Sequence, residues 1–235
     1  DMDKAVARIR RAVENRERVA IYGDYDVDGM TASCLLAIYF RSKGLEYEIY
    51  IPERTEAGYG VNSAALDQLK RNGVSLVVTV DSGITAVEEA KYAREIGLDL
   101  IITDHHECKK TLPDALAVIN PKRPDCPYPN KGLSGVGVAF KLICALEKDT
   151  PIDVLFDQYG DFVAVGTVAD VMPVIGENRI LIRRGLAALN RKKRPGLRSL
   201  IREACIDQRD VTVAIIGFVL APRLNAAGRM GRTSL

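Results

Sequence analysis

The sequence has no tryptophan, two histidines and five cysteines (Cys34, Cys108, Cys126, Cys144 and Cys205), an odd number with no Cys-x-x-Cys pair. That excludes a disulfide framework and a zinc ribbon, and makes a reducing cytoplasm the simplest setting. It also lacks any apolar run of the 18 or more residues that a membrane span needs. The longest, Val211 to Leu220 and Leu35 to Phe40, have the length of core elements, so no membrane partner is expected. No signal peptide opens the chain, since residues 1–17 read as a charged amphipathic helix. Repeats and low-complexity tracts are absent, which excludes fibres and solenoids. Neither sign of charge dominates: 33 Lys and Arg face 31 Asp and Glu, a net charge of +2, so the distribution of charge must be read instead.

What is present is a globular composition, 47% hydrophobic and 27% charged over 235 residues, enough for one large α/β domain or a domain with part of another. After the opening helix, five short apolar runs recur: VAIYG (19–23), YEIYIP (47–52), SLVVTV (75–80), LDLIIT (98–103) and ALAVIN (115–120). Rich in Val and Ile and bounded by Gly, Asp or Pro, they read as strands buried on both faces of a parallel sheet. Residues 30–43, 62–72 and 85–96 carry helical spacing between them, with Asn62 and Thr85 as candidate N-caps. The pattern is repeated βαβ, so the expected fold class is α/β, a doubly wound, mostly parallel sheet. Four prolines in residues 121–133 mark a loop. Beyond it, 136–148, 151–169, 177–191, 196–205 and 211–220 favour helix, a helical second half. Residues 221–235 show no obvious closing element. The expected division is an α/β domain over 1–170 and a helical flank over 171–235.

Three of the strand-like runs end in acid. The first is followed by Asp24, Asp26 and Asp28, the third by Asp81, and the fourth by Asp104 with His105 and His106, the only histidines. Open α/β sheets bind ligands at these strand ends. One acid there is more often a helix cap than a ligand, but five acids and both histidines have no ordinary structural account. Two like charges about 4 Å apart repel by roughly 4 kcal/mol at an effective dielectric near 20, so the cluster requires a cation. Oxygen ligands with imidazole suit Mn²⁺ or Mg²⁺, and two ions sharing a carboxylate would stabilise both the attacking and the leaving oxygen of a phosphoryl transfer.

Rival motifs fail on spacing. Asp24, Asp26, Asp28 and Gly29 open like an EF-hand loop, but its twelfth position is Leu35, where a bidentate Glu is needed. An Asp-x-Asp-x-Thr phosphatase motif is not met, because Asp26 and Asp28 are followed by Gly29 and Met30. Gly135 and Gly137 begin a dinucleotide loop, yet Phe140 stands where its third glycine belongs. Small residues opening a helix there can still seat a phosphate. Val136, Val138, Phe140 and Leu142 read as core, and Cys34 and Cys144 as buried and inert.

The segments GDYDVDGMT (23–31), VTVDSG (78–83), ITDHHE (102–107) and GTVADVMP (166–173) resemble, in order, the four motifs of the DHH phosphoesterases. IPERTEAGYG (51–60), SGVGVAFKL (134–142) and APRLNAAGRMG (221–231) resemble one branch of that family, bacterial exonucleases specific for single strands. The resemblance covers essentially the whole chain. It implies hydrolysis of single-stranded DNA from a 5′ end with Mn²⁺ or Mg²⁺. It implies Asp26, Asp28, Asp81, His105 and Asp170 as metal ligands, with Asp81 bridging two ions. Asp24 and His106 match positions that are either outer ligands or groups touching the scissile phosphate, and Asp104 orients His105 from behind. Arg54 matches a site for the 5′-terminal phosphate, while Arg223, Asn225 and Arg229 match strand-contacting positions. Tyr59 suits either base stacking or the core. A single-strand-binding protein or a helicase is an implied partner.

Tyr22 departs from the pattern, standing where other members carry a histidine ligand, with Asp24 as the candidate substitute. The resemblance also implies an associated domain and an OB-type domain beyond Leu235, so an N-terminal fragment that holds metal yet cleaves poorly is expected. Asp170, judged by pattern alone, is a solvated or capping residue, and only the motif raises it. The basic residues of 179–202, nine without an acid and densest at Arg191 to Arg194, read first as a solvated turn and second as a path for phosphates. Two rivals stand beside the exonuclease: a family member acting on pyrophosphate, short oligonucleotides or cyclic dinucleotides, and a replication scaffold that has lost its metals.

Overall fold

The computed structural model describes residues 1–52, 60–191 and 193–229, with the side chains of 228 and 229 excepted. All five apolar runs form strands: β1 (Val19–Tyr22), β2 (Tyr47–Tyr50), β3 (Leu76–Val80), β4 (Asp99–Thr103) and β5 (Ala117–Ile119). They pair in parallel in the order β2-β1-β3-β4-β5. Successive side chains go to opposite faces, and each face has its own apolar cluster. Val19, Ile21, Val78 and Ile101 pack with α1 (Met2–Asn15), α2 (Val27–Ser42) and α5 (Gly135–Leu146). Ala20, Tyr22, Val77 and Leu100 pack with α3 (Ser63–Arg71) and α4 (Val87–Glu95). Burial on both sides is why the strands read as unbroken apolar runs, and the sheet is doubly wound as expected.

Asn62 caps α3 by accepting the Ala65 N–H at 2.8 Å. Thr85 does not cap α4. The chain first makes a tight turn, with the Ala86 N–H on the Gly83 carbonyl at 3.0 Å, and Ala86 becomes the N-cap. Cys34 is exposed and Cys144 half-buried, against the expectation that both are enclosed; Cys34 lies on the outward side of α2, while Val136, Val138, Phe140 and Leu142 are core.

The second half is helical: α6 (Ile152–Ala169), α7 (Gly176–Asn190), α8 (Pro195–Glu203) and α9 (Val213–Ile215). A π turn over Ile216–Leu220 leads into α10 (Ala221–Arg229), a closing helix that the small and basic residues there did not advertise. The π turn precedes Pro222, whose missing N–H and bulky ring disallow an ordinary helical bond at that point. Ile216, Leu220 and Ala221 pack beneath Val27 and Val165, which joins this end of the chain to the start of α2 and to α6. Among the described residues, no helix is long and apolar enough to cross a membrane.

Candidate metal centre

Because β1, β3 and β4 are consecutive neighbours, their carboxyl ends bring the three acid-bearing loops to one rim. Asp26 is the N-cap of α2 and accepts the Gly29 N–H at 2.9 Å. Asp28 sits in the first turn, where the positive end of the helix favours it. Asp81 follows β3 at φ 58°, a left-handed conformation that a non-glycine residue keeps only under tertiary constraint. His105 and His106 follow β4, and Asp170 is the C-cap of α6. A carboxylate at the negative end of an 18-residue helix is opposed by the helix dipole unless a cation is near.

These side chains converge. His105 Nε2 lies 3.0 Å from Asp81 Oδ1, 3.5 Å from Asp170 Oδ2 and 3.9 Å from Asp28 Oδ2. Asp28 and Asp81 are each 1% exposed. Among the described residues, three sets of ligand atoms fall within 4.8 Å of one another: Asp24, Asp26 and Asp81; Asp28, His105 and Asp170; and Asp81, His105 and His106. Asp81 Oδ1, His105 Nε2 and Asp170 Oδ2 are buried without a hydrogen-bond partner among the described residues, although a buried polar atom left so costs about 1–3 kcal/mol. Three orphaned ligand atoms facing one another fit a divalent cation.

The electrostatics agree. Burial, and then the charges of Asp28 and Asp26, push the Asp81 carboxyl well above its ordinary range. Burial and the charge of Asp170 do the same to Asp28, against the Val136 and Gly135 N–H groups, which donate to its carboxylate at 2.9 and 2.5 Å. Asp170 is raised to about 6, by burial and then by Asp26. His105 is lowered to about 4, chiefly by burial and then by His106, so it is neutral at pH 7 and has a lone pair for a metal.

Asp104 behaves oppositely. Burial would raise it, but it accepts bonds from His106 Nδ1 (2.7 Å) and from the N–H groups of Ile84, His105 and His106, and the net effect lowers its carboxyl. It therefore stays charged and fixes the ring of His106, with Nδ1 toward it, and not, as expected, that of His105, whose Nδ1 has no hydrogen-bond partner among the described residues. That hydrogen bond in turn raises His106 above its ordinary value.

The helix opening at Gly135 receives the Asp28 carboxylate, so the phosphate seat anticipated at those glycines is already taken. A Cβ at Gly135 would lie 2.5 Å from both Cβ and Oδ1 of Asp81. Gly135→Ala is therefore expected to weaken Mn²⁺ binding by at least about tenfold, the usual scale for a disturbed ligand support. Calorimetry giving an affinity within twofold of the wild type would show that Asp81 yields at no cost.

Other expected residues fall elsewhere. Tyr22 points away from the acids: its hydroxyl donates to the Gly60 carbonyl (3.0 Å) and accepts from Asn62 Nδ2 (3.1 Å), and its ring packs on Tyr50. Asp24, by contrast, stands with Asp26 and Asp81. Asn225 Oδ1 accepts the Val27 N–H at 3.2 Å, which ties α10 to the start of α2, and exposed Arg223 donates to the Val219 carbonyl. Arg54 and Tyr59, and the Arg229 side chain, lie outside the described residues. In the basic strip, Arg191 and Lys193 pair with Asp157, and Arg194 pairs with Asp161 and stacks on Phe162. The sequence reading missed the Gly135 and Val136 N–H groups as partners of Asp28; the paired glycines of SGVG were the available signal.

A model of the DHH family, N-terminal domain, matches residues 18–167. The chain is 46% identical over 229 residues to the single-stranded-DNA-specific exonuclease RecJ of Bacillus subtilis (strain 168), covering 97% of this chain and 28% of that protein. It resembles the crystal structure of exonuclease RecJ bound to manganese with a TM-score of 0.87 and 35% identity, over 98% of this chain and 58% of that one. RecJ from Thermus thermophilus in complex with Mn²⁺ aligns with a TM-score of 0.81 and 33% identity, over 98% of this chain and 33% of that one. Its Mg²⁺ complex aligns at 0.70 and 30%, over 98% and 29%. The chain thus spans 28% to 58% of the length of these relatives.

Proposed function

Since the chain belongs to the DHH family, we propose that it carries the metal-binding core of a single-strand-specific 5′→3′ exodeoxyribonuclease of DNA repair and recombination. The observation that carries this reading is the trio of buried ligand atoms without a partner among the described residues, Asp81 Oδ1 and His105 Nε2 at two adjacent strand ends and Asp170 Oδ2 at the end of α6. Asp24, Asp26, Asp28, Asp81, His105 and Asp170 would hold two Mn²⁺ or Mg²⁺ ions, with Asp81 common to both. When bound, such ions lower the pKa of water and neutralise charge on a phosphodiester.

The chain's own residues supply position. Asp104 holds His106 so that its ring faces the rim, where it would donate to a phosphate oxygen, and the lowered pKa of His105 keeps that ring unprotonated for ligation. Arg54 would take the 5′-terminal phosphate and Tyr59 would stack a base. Arg223, Asn225 and Arg229 would follow the strand backbone. Residues 1–170 form the metal-binding unit in this reading and 171–235 a flank beside the strand's path. A cytoplasmic setting fits, with a single-strand-binding protein or a helicase as partner.

The test compares substrates in the full-length gene product with Mn²⁺: long single strands with 5′-phosphate or 5′-hydroxyl ends, duplex of the same sequence, and dinucleotides. Stepwise release of mononucleotides from the 5′ end of the single strand, with little cleavage of duplex, is expected. Preference for dinucleotides or pyrophosphate instead would make this a small-substrate member of the family.

A further inference from the structure

The inference here rests on the reading of Asp28 and Asp170 as metal ligands. Irregular backbone delivers a part of each ligand's setting. Residues 121–134 end at α5, whose first two N–H groups hold Asp28. Residues 170–175 begin with Asp170 itself and run to the start of α7.

The second stretch has little apolar burial to hold it, with Val171 85%, Val174 46% and Ile175 72% exposed. Val171 also has φ 56°, a strained conformation for a β-branched residue. Such a conformation persists only where the surroundings over-determine it. Beyond the end of α6, where the Val171 and Met172 N–H groups bond back to Val168 and Thr167, another restraint is required.

That restraint is Asn178, 2% exposed near the start of α7. Its amide nitrogen donates to the Gly132 carbonyl at 2.6 Å and to the Pro173 carbonyl at 3.1 Å, and its oxygen accepts from Asn130 Nδ2 at 3.2 Å. A primary amide has two N–H donors, so both are committed, one to each stretch. Gly132 lies two residues before Ser134, the N-cap of α5, and Pro173 three residues after Asp170. Next to it, Glu177 accepts from Tyr128, Asn130 and Lys141, which braces the same loop against α5.

We propose that Asn178 is a positioning residue of the metal centre, clamping the segment that leads into α5, whose first N–H groups hold the Asp28 carboxylate, to the segment that carries Asp170. Of the three ligand sets, the one formed by Asp28, His105 and Asp170 draws on both clamped segments, whereas Asp24, Asp26 and Asp81 draw on neither. The clamp thus acts directly on one ion and reaches the other only through Gly135, which packs on Asp81. Asp is nearly isosteric with Asn but has no N–H to give, so Asn178→Asp releases both carbonyls with the volume unchanged.

Mn²⁺ calorimetry and hydrogen-exchange mass spectrometry of residues 134–138, both on the full-length gene product, test this. Asn178→Asp is expected to weaken one of two Mn²⁺ sites by 10- to 100-fold, leave the other within about threefold, and speed exchange at Gly135 and Val136 in the metal-free protein. Equal weakening of both sites, or two unchanged sites with only a lower melting temperature, would make Asn178 merely structural and overturn the inference. A wild type that takes up no Mn²⁺ would overturn the metal reading and this inference with it. Should Asn178→Asp not fold, Asn130→Ala removes the bond to the Asn178 oxygen, together with the Asn130 bonds to Glu177 and the Gly132 N–H, and leaves both donor bonds of Asn178 in place. A loss of about threefold at one site is then expected, and unchanged affinities at both would overturn the inference.

Discussion

Asp81→Ala is expected to abolish hydrolysis in the full-length gene product, by roughly 10³-fold or more, while binding of a single strand largely persists. Removing one preorganised charge-stabilising group costs about 10²–10³ in rate. Asp81 lies in two of the three ligand sets, so its loss should cost at least that much. Single-strand binding draws on separate cationic positions and should survive. The same carboxylate has the opposite effect on stability. In the metal-free protein it is buried, with Oδ1 unpartnered and its pKa driven up by burial and by Asp28. Asp81→Asn removes the charge and keeps the shape, and asparagine tolerates φ near +58°. Relief of about 1–3 kcal/mol should raise the melting temperature of the metal-free protein by several degrees, at about 2–4 °C per kcal/mol for a chain of this size. Retained cleavage by Asp81→Ala would refute the bridging role, and an unchanged melting temperature for Asp81→Asn would refute the strain.

Mn²⁺ should stabilise the protein strongly at pH 7.5 and hardly at pH 5. At a hundred times the dissociation constant, a ligand bound only by the folded state adds about 2.7 kcal/mol per site, so two ions should raise the melting temperature by about 10 °C or more. The pH dependence follows from the carboxyls. Asp170 has its folded pKa raised to about 6, against an ordinary 3.8, and Asp28 and Asp81 are raised as well. Between those values these carboxyls bind more protons in the folded state than in the unfolded one, so their contribution to metal-free stability falls as pH rises from about 4 through 6. Metal uptake requires the deprotonated ligands, so affinity drops about tenfold per pH unit for each proton displaced once pH falls below 6. His105, lowered to about 4, is already neutral across this window and adds nothing to the slope of metal affinity, while its ordinary value of 6.5 makes its own contribution to metal-free stability rise with pH from about 4 through 6.5. Differential scanning calorimetry with and without Mn²⁺ from pH 5 to 8 measures the effect, and a metal-induced shift of equal size at both ends would contradict the carboxylate cluster as its source.

Much of this molecule was readable before any coordinates. The five strands are short apolar runs because both faces of the sheet are covered, and acids at the ends of three of them stand out against that background. The candidate site positions Asp26, Asp28, Asp81, His105 and His106 follow strand ends or open a helix, where the local pattern is strongest. Asp170 shows the limit: a lone acid at the end of a helix looks like any capping or solvated residue until His105 stands 3.5 Å away. Thr85 failed as a cap because a turn at Gly83 intervenes, and capping preference does not register such a turn. The basic strip read first as a solvated turn, and the sequence could not show that Asp157 and Asp161 on α6 pair with Arg191, Lys193 and Arg194.

What the amino-acid order determined alone is the alternation of strands and helices and the chemical character of the loops that follow three strands, because burial periodicity and residue type are local properties. Tertiary structure decided that β1, β3 and β4 are neighbours, that the opening of α5 accepts Asp28 from 107 positions away, and that Asn178 ties two irregular segments together. Those contacts depend on how connections cross the sheet and on which backbone groups are left without partners once it has formed, and only the assembled chain sets these.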